Sequence, residues 1–312
     1  MSEMTDSQLK LMQLRNYQAM PLGAKIRRSE HLIREWYEEN DGLVYVAFSG
    51  GKDSTVLLDI VWSLYPDVPA VFANTGNELN SVVDFVKTYG DRVTWVKPKI
   101  SFDEVVEKYG YPVVSKEQSG FIHELKRTAS EDLARTRWFG NKWGRGKISE
   151  KWKYLLNAPF NTTHKCCNYL KINPTSEYRK KTKRSTITGV MASESALRSQ
   201  TFLRFGCNAF GMKDPTSRPI IFWTEADVIE YITTNNLPIA GAYGEIKDGK
   251  CTGAQRTGCK FCLFGVHLED KSKPNRIQRL AEVEPESYRH CIEDLGYDKV
   301  MDYIGVDWRP FK

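Results

Sequence analysis

Ser49-Gly50-Gly51-Lys52-Asp53-Ser54-Thr55 decides the reading of this chain. Before it, Leu43 to Phe48 is a short apolar run rich in β-formers, too brief for a helix and suited to a buried strand. After it, Val56, Leu57, Ile60, Val61 and Leu64 share one helical face, and Pro69 to Ala73 is a second strand candidate. The order is strand, glycine-rich turn, helix, strand, for which a right-handed crossover is the default. A turn in that position can cradle phosphate between main-chain N–H groups and a helix dipole. Gly50 and Gly51 let the oxygens approach, Ser49 and Ser54 add hydroxyls, and Lys52 adds a movable positive charge. The string is not a Walker loop, because Asp53 rather than Ser or Thr follows the lysine.

Outward from the turn, Val93 to Val96, Ser185 to Val190 and Ile220 to Trp223 read as further strands, separated by helical stretches such as Ser81 to Tyr89 and Glu225 to Thr233. This alternation predicts an α/β fold, a mainly parallel sheet with helices on both faces and ligands at the strands' carboxyl ends, followed by a Cys-rich C-terminal extension. Leu11, Leu14 and Tyr17, then Ile26, Leu32, Ile33 and Trp36, recur at helical intervals. The expected division is a helical cap at 1–40, a nucleotide-binding α/β domain at 41–235 and a Cys-rich region at 236–312 that completes a metal or cluster site. The stretch from Ser130 to Lys153 reads as an insertion or loop.

The 312 residues are 41% hydrophobic and 27% charged, which excludes a collagen-like or wholly disordered chain. No apolar run is long enough to span a bilayer and the first ten residues lack the apolar stretch of a signal peptide, so a cytoplasmic protein with no membrane partner is expected. In a reducing compartment the seven cysteines point to metal or redox chemistry before disulfides. A net charge of +6 favours phosphorylated or polyanionic partners without demanding them.

Ser49 to Thr55 after a buried strand resembles the PP-loop of the ATP pyrophosphatase superfamily, whose adenine nucleotide alpha-hydrolase-like fold is a parallel sheet between helices. The resemblance implies ATP bound at Ser49, Gly50, Gly51, Lys52, Asp53 and Ser54 and cleaved between its α and β phosphates, with Lys52 and Asp53 catalytic and Mg²⁺ held through Asp53. One branch binds adenylylsulfate or phosphoadenylylsulfate (PAPS) instead, and three segments are similar to that PAPS reductase family. Thr75-Gly76, preceded by Asn74 where the family has Asp, implies contacts to adenosine. Thr188 to Arg198 resembles Thr-Gly-x-Arg-x-x-Glu-Ser-x-x-Arg, which brings in Gly189, Glu194 and Arg198; Met191 replaces the family's first arginine. Arg198 either binds oxyanions or pairs with Glu194. Arg218-Pro219-Ile220 with Trp223 to Val228 resembles the family's helix entry, and Thr224 is a plausible cap.

Cys166-Cys167 and the pair Cys259 and Cys262 match the ligand pattern of adenylylsulfate reductases that hold a four-iron four-sulfur (4Fe-4S) cluster. Neighbouring cysteines reach different irons more easily than one tetrahedral zinc, which stays the lesser alternative, beside a plain dithiol pair. Cys251 stands just before the second pair as a spare thiol, an alternative ligand or a sulfur-relay nucleophile; Cys207 and Cys291 read as buried hydrophobes. Sulfonucleotide reductases of the family end in a tail bearing the cysteine that attacks sulfur, whereas Asp302 to Lys312 contains none.

Three functions follow. The leading one is a PAPS-reductase-like PP-loop enzyme that splits ATP to activate a substrate for iron–sulfur-dependent sulfur transfer, with a sulfur-donor protein such as a cysteine desulfurase. The second is an adenylylsulfate or PAPS reductase releasing sulfite. The third is a nucleotide-binding regulator without chemistry. Arg135, Arg137, Trp138, Lys142, Trp143, Arg145, Lys147, Lys151, Trp152 and Lys153 mix positive charge with aromatics, as does a nucleic-acid surface, or equally a solvated basic face. Relatives in DNA phosphorothioation combine a PP-loop with a cluster, which makes DNA or RNA a candidate acceptor. An oligomer is open.

Overall fold

The structure is a computed structural model and describes residues 5–311. The chain forms two compact units, each built from three segments: Met1–Ala73, Asn80–Val96 and Thr175–Thr257 in the first, and Asn74–Leu79, Lys97–Pro174 and Gly258–Lys312 in the second.

The first unit contains the predicted α/β fold. Strand β1 (Val44–Ala47) lies inside a six-stranded sheet, with β2 (Ala70–Ala73) and then β3 (Val93–Val96) on one side, and Ser185–Thr188, Thr216–Ser217 and Asn208–Ala209 on the other. All pairings are parallel except the last, between Thr216–Ser217 and Asn208–Ala209. Val44 and Val46 are fully buried, as β-branched residues are in a strand covered on both faces. Because the chain leaves β1 for β2 on one side and later returns as Ser185–Thr188 on the other, the carboxyl end of β1 is the topological switch point where such sheets bind ligands.

The first four helices are α1 (Asp6–Gln18), α2 (Leu22–Glu39), α3 (Lys52–Leu64) and α4 (Asn80–Lys87). Helix α2 buries Leu32, Ile33 and Trp36, as their spacing predicts, and also buries a lysine. The Lys25 ammonium donates to both carboxylate oxygens of Asp227, at 2.8 and 2.6 Å, and Asp227 also accepts from Thr224, closing the cap of the helix Glu225–Thr234. Ser29 adds a hydroxyl bond to the Pro219 carbonyl and receives one from the Trp223 indole.

Ile220 to Trp223 is not a strand. All four side chains are fully buried, but the backbone turns twice, with Ile221 N–H donating to Arg218 O and Trp223 N–H to Ile220 O. A short unbroken apolar run reports burial and carries no period to distinguish strand from turn. The stretch from Ser130 to Lys153 also differs from a plain loop: Ser130 caps a helix, Glu131–Phe139.

The second unit is mainly helical around one core that includes Ile122, Leu155, Leu263, Ile277, Cys291, Tyr297 and Met301. Val113–Val114 pairs in parallel with Leu263–Phe264, so a strand just after Cys262 is stitched to one well before Cys166. Cys291 is completely buried and its thiol is pushed far up by burial, as befits a core hydrophobe. Cys207, in the first unit, is likewise buried, its thiol pushed up to about 11. Among the described residues no helix is long and apolar enough to cross a membrane.

Candidate nucleotide loop and cysteine centre

The turn after β1 is built by its own small side chains. Gly50 has φ +69°, and a Cβ there would lie 2.8 Å from methyls of Val82 and Val86, so conformation and space both require glycine. Ser54 Oγ donates to the Gly51 carbonyl at 2.8 Å and lies 3.0 Å from Ser49 Oγ, while Ser49 Oγ accepts from the Gly51 N–H at 3.3 Å. Gly51 is the N-cap of α3, which puts Lys52 and Asp53 in the first turn, where donors are unpaired by helix geometry and the dipole favours anions.

A segment of the same unit covers this turn. Tyr243 Oη accepts the Lys52 N–H at 3.1 Å and shares a 2.9 Å hydrogen bond with Thr257 Oγ1. The Lys52 side chain is 2% exposed; its ammonium donates to the Gln255 carbonyl at 3.0 Å and pairs with Glu225 at 3.2 Å and Asp53 at 3.7 Å. Burial pulls the Lys52 pKa down, but the charges of Asp53, Tyr243 and Glu225 outweigh it and the net shift is upward, so the side chain is an ammonium. Burial raises the Asp53 pKa against the pull of Lys52, and its Oδ1 is buried without a hydrogen-bond partner. That oxygen suits a hydrated cation such as Mg²⁺.

Gly189, one residue past the strand Ser185–Thr188, packs against the start of α3: a Cβ would meet the Asp53 carbonyl oxygen at 3.0 Å. Arg198 forms an ion pair with Glu194, which Arg256 also approaches, at 3.8 Å. Arg198 also senses the charge of Asp53. Met191 is 1% exposed. Cys251 lies in a small hairpin, Ile246–Lys247 against Lys250–Cys251, and is 6% exposed. Burial raises its thiol pKa, with Lys52 opposing and Glu225 and Asp53 adding to the rise. The cation it senses is thus Lys52, whereas Lys247, on the same hairpin, pairs with Glu245.

Thr75 and Gly76 belong to the second unit, where their polar groups serve the chain itself. Glu78 accepts both the Thr75 N–H and its hydroxyl, and Asn74 Oδ1 accepts the Gly76 N–H. Lys171 lies 3.7 Å from Glu78 and hydrogen-bonds Cys259; burial lowers its pKa, but the Cys259 and Glu78 charges prevail and raise it. The Thr75 turn is thereby linked to the cysteines.

Cys166, Cys167, Cys259 and Cys262 all lie in this unit and sense one another's charge. Cys166 donates toward Cys167, which raises the first thiol and lowers the second; burial raises Cys259, and raises Cys262 to about 11. The Cys259–Cys262 turn is clamped by Asn77, whose main-chain oxygen accepts from Lys260 N–H at 2.8 Å and whose Oδ1 accepts from Phe261 N–H at 3.2 Å. Tyr297 Oη donates to the Phe261 carbonyl at 2.6 Å. Asn77 is 1% exposed, and its Nδ2 is left without a partner, a buried donor available to a sulfur acceptor. Among the described residues no three His, Cys, Asp or Glu side chains converge on a single ion position. Four thiols in two local pairs are a sulfur donor set of the kind that either an iron–sulfur cluster or a zinc ion takes.

Sequence reasoning missed Tyr243, Gln255 and Glu225 around the lysine, and Glu78, Asn77 and Tyr297 around the cysteines. These residues act through local geometry, partly through main-chain atoms, and no spacing announces them. Lys171 opens a basic stretch that runs to Arg184, and that composition says nothing of its place beside Cys259.

The profile of the phosphoadenosine phosphosulfate reductase domain matches residues 43–137 and 121–262. An uncharacterized protein of Methanocaldococcus jannaschii is 25% identical over 88% of this chain, which spans only 54% of that relative's length. A protein of Lysinibacillus sphaericus named adenosine 5'-phosphosulfate reductase is 25% identical over 83% of this chain and 89% of its own. The crystal structure of a PAPS reductase from Candida auris superposes with TM-score 0.42 and 17% identity over 70% of this chain and 87% of that one. With a phosphate-type loop at the switch point of a parallel sheet and a profile match over most of its length, the chain belongs to the phosphoadenosine phosphosulfate reductase domain family.

Proposed function

We propose that this chain is a PP-loop enzyme that cleaves ATP to AMP and pyrophosphate to activate a substrate oxygen for sulfur transfer. The observation that carries the reading is the loop itself: a buried ammonium, Lys52, ion-paired to a buried carboxylate oxygen without a hydrogen-bond partner, Asp53 Oδ1, at the start of a helix. The substrate oxygen attacks the α phosphorus, the bond to the β phosphate breaks, and pyrophosphate leaves with the electron pair. Sulfide then displaces AMP, which leaves with the bridging oxygen, so sulfur replaces oxygen without net oxidation; where a donor such as a cysteine desulfurase supplies the sulfur, its persulfide attacks, and a second thiol reduces the disulfide so formed and is itself oxidised. Lys52 stabilises the charge developing on the pyrophosphate, Ser49, Gly50, Gly51 and Ser54 position the phosphates, and Asp53 would hold Mg²⁺. Cys166, Cys167, Cys259 and Cys262 would hold a 4Fe-4S cluster, which when bound supplies a sulfur-binding or charge-stabilising group. Lys171 offsets thiolate charge at Cys259.

The exposed Trp143 and Phe139, with Lys142 stacked 4.4 Å above the Trp143 ring, support nucleic acid as the oxygen-bearing acceptor. The cytoplasm suits the free thiols.

A second reading, an adenylylsulfate or PAPS reductase, is favoured by the name of the Lysinibacillus relative; Met191 in place of the family's arginine weighs against it. Anaerobically prepared protein, carrying roughly four irons and four sulfides per chain, should release pyrophosphate from ATP in the presence of sulfide and oligonucleotide. Sulfite release from adenylylsulfate with a dithiol, and no pyrophosphate, would establish the second reading. Nucleotide binding without turnover of either would leave a regulator, and one zinc per chain would overturn the cluster.

A further inference from the structure

The segment from Gly241 to Thr257 fastens itself over the phosphate loop. It is a built hairpin: Gly253 N–H donates to the Tyr243 carbonyl at 2.9 Å, Ala254 N–H to Ala242 O at 2.8 Å, and Thr252 N–H to Glu245 O at 2.8 Å. A Cβ on Gly253 would lie 2.5 Å from the Ala242 carbonyl oxygen, so the two arms are in close contact. The hairpin places oxygens on the groups that a phosphate-binding loop reserves for its ligand. The Tyr243 hydroxyl takes the Lys52 N–H, and the Gln255 carbonyl takes the Lys52 ammonium. A Cβ on Gly51 would stand 3.2 Å from Tyr243 Oη and 3.3 Å from Thr257 Oγ1, so the two hydroxyls lie close against the turn. Cys251 rides on the same hairpin, its carbonyl bonded by Gln255 Nε2 at 3.0 Å and its thiol shielded from solvent.

We infer that this hairpin is an internal occupant of the phosphate loop, displaced when a nucleotide binds, and that its displacement exposes the Cys251 thiol. The inference rests on the loop being a phosphate site and adds the regulation of that site. The Tyr243 and Gln255 oxygens and a phosphate oxygen compete for the same donors, so the nucleotide must break the hairpin's bonds before forming its own. The apparent affinity is therefore lower than the intrinsic one by the fraction of molecules already open. Tyr243 acts here as a positioning residue, holding the closed form.

The test uses the full chain, with ATP and inorganic pyrophosphate as probes. Tyr243→Phe removes the competing oxygen and should bind either probe more tightly, by about fivefold, the equivalent of one ordinary hydrogen bond. Thr257→Val should act in the same direction and less. In the wild-type protein, alkylation of Cys251, followed by peptide mass spectrometry, should accelerate at least about tenfold on saturation with ATP, as a buried thiol becomes accessible, and in Tyr243→Phe it should start from a faster basal rate. A merely structural role for Tyr243 predicts weaker binding in the variant. Weaker or unchanged binding in Tyr243→Phe, or saturation by ATP with no change at Cys251, overturns the inference while leaving the loop as a phosphate site. Failure of the wild-type protein to bind either probe overturns the loop reading and this inference together.

Discussion

The phosphate loop and the cysteine centre solve the same problem, that of keeping charged or chargeable groups out of water, in opposite ways. In the first unit the buried cations have a carboxylate of the chain beside them: Lys52, at the loop, has Glu225 and Asp53, and Lys25 has Asp227. Around the cysteines three of the four thiols are raised, Cys166 first by its bond to Cys167 and Cys259 and Cys262 by burial, and Lys171 offsets Cys259. The loop is held by its own charges, whereas the Cys259–Cys262 turn is held by hydrogen bonds between its main chain and Asn77 and Tyr297.

The largest effect expected from this contrast is at the ion pair between the helices Leu22–Glu39 and Glu225–Thr234. Lys25→Met leaves Asp227 buried without its cation and should cost about 3–5 kcal/mol of unfolding free energy in urea. A loss below about 1 kcal/mol, the range of an exposed pair, would show that the first unit does not depend on internal neutralisation.

The cysteine centre predicts a smaller, pH-dependent effect. In metal-free protein the folded state holds Cys262 at about 11, above its ordinary 9.0, and raises Cys166 and Cys259 as well. Raised groups contribute stability that is fully present below the unfolded value and is lost as pH climbs through the folded one. Cys167, lowered to about 6 by its bond from Cys166, works in the opposite direction, but its contribution is complete above its ordinary 9.0 and so does not oppose the fall at higher pH. The melting temperature of metal-free protein should fall between pH 9 and pH 11, and Cys262→Ser should flatten that slope. A slope of the opposite sign would mean that the thiols are paired or exposed.

The two regions also differ in how much of them could be read in advance. The loop was legible because its chemistry is contiguous: Ser49 to Ser54 occupies a single turn, and the period of Val56, Leu57, Ile60 and Val61 fixes the helix that follows. The parallel sheet followed from alternation, and the run from Ile220 to Trp223 misled because full burial looks alike in a strand and a turn. The cysteines were legible as residues but not as a centre. Asn77 clamps the distant Cys259–Cys262 turn through backbone groups, and Glu78 meets Lys171 only in three dimensions. The hairpin over the loop had no signature beyond glycines, since Tyr243 acts through one hydroxyl and Gln255 through its carbonyl.

The central claim is that the Lys52 turn binds the phosphates of an adenine nucleotide. Calorimetric titration of ATP into wild-type protein and into Lys52→Ala, with folding of both verified by circular dichroism, tests it most directly. The account predicts saturable binding by the wild-type protein, weakened in Lys52→Ala by about tenfold or more, as expected for a lost charged hydrogen bond. Equal affinity in the two proteins would contradict it.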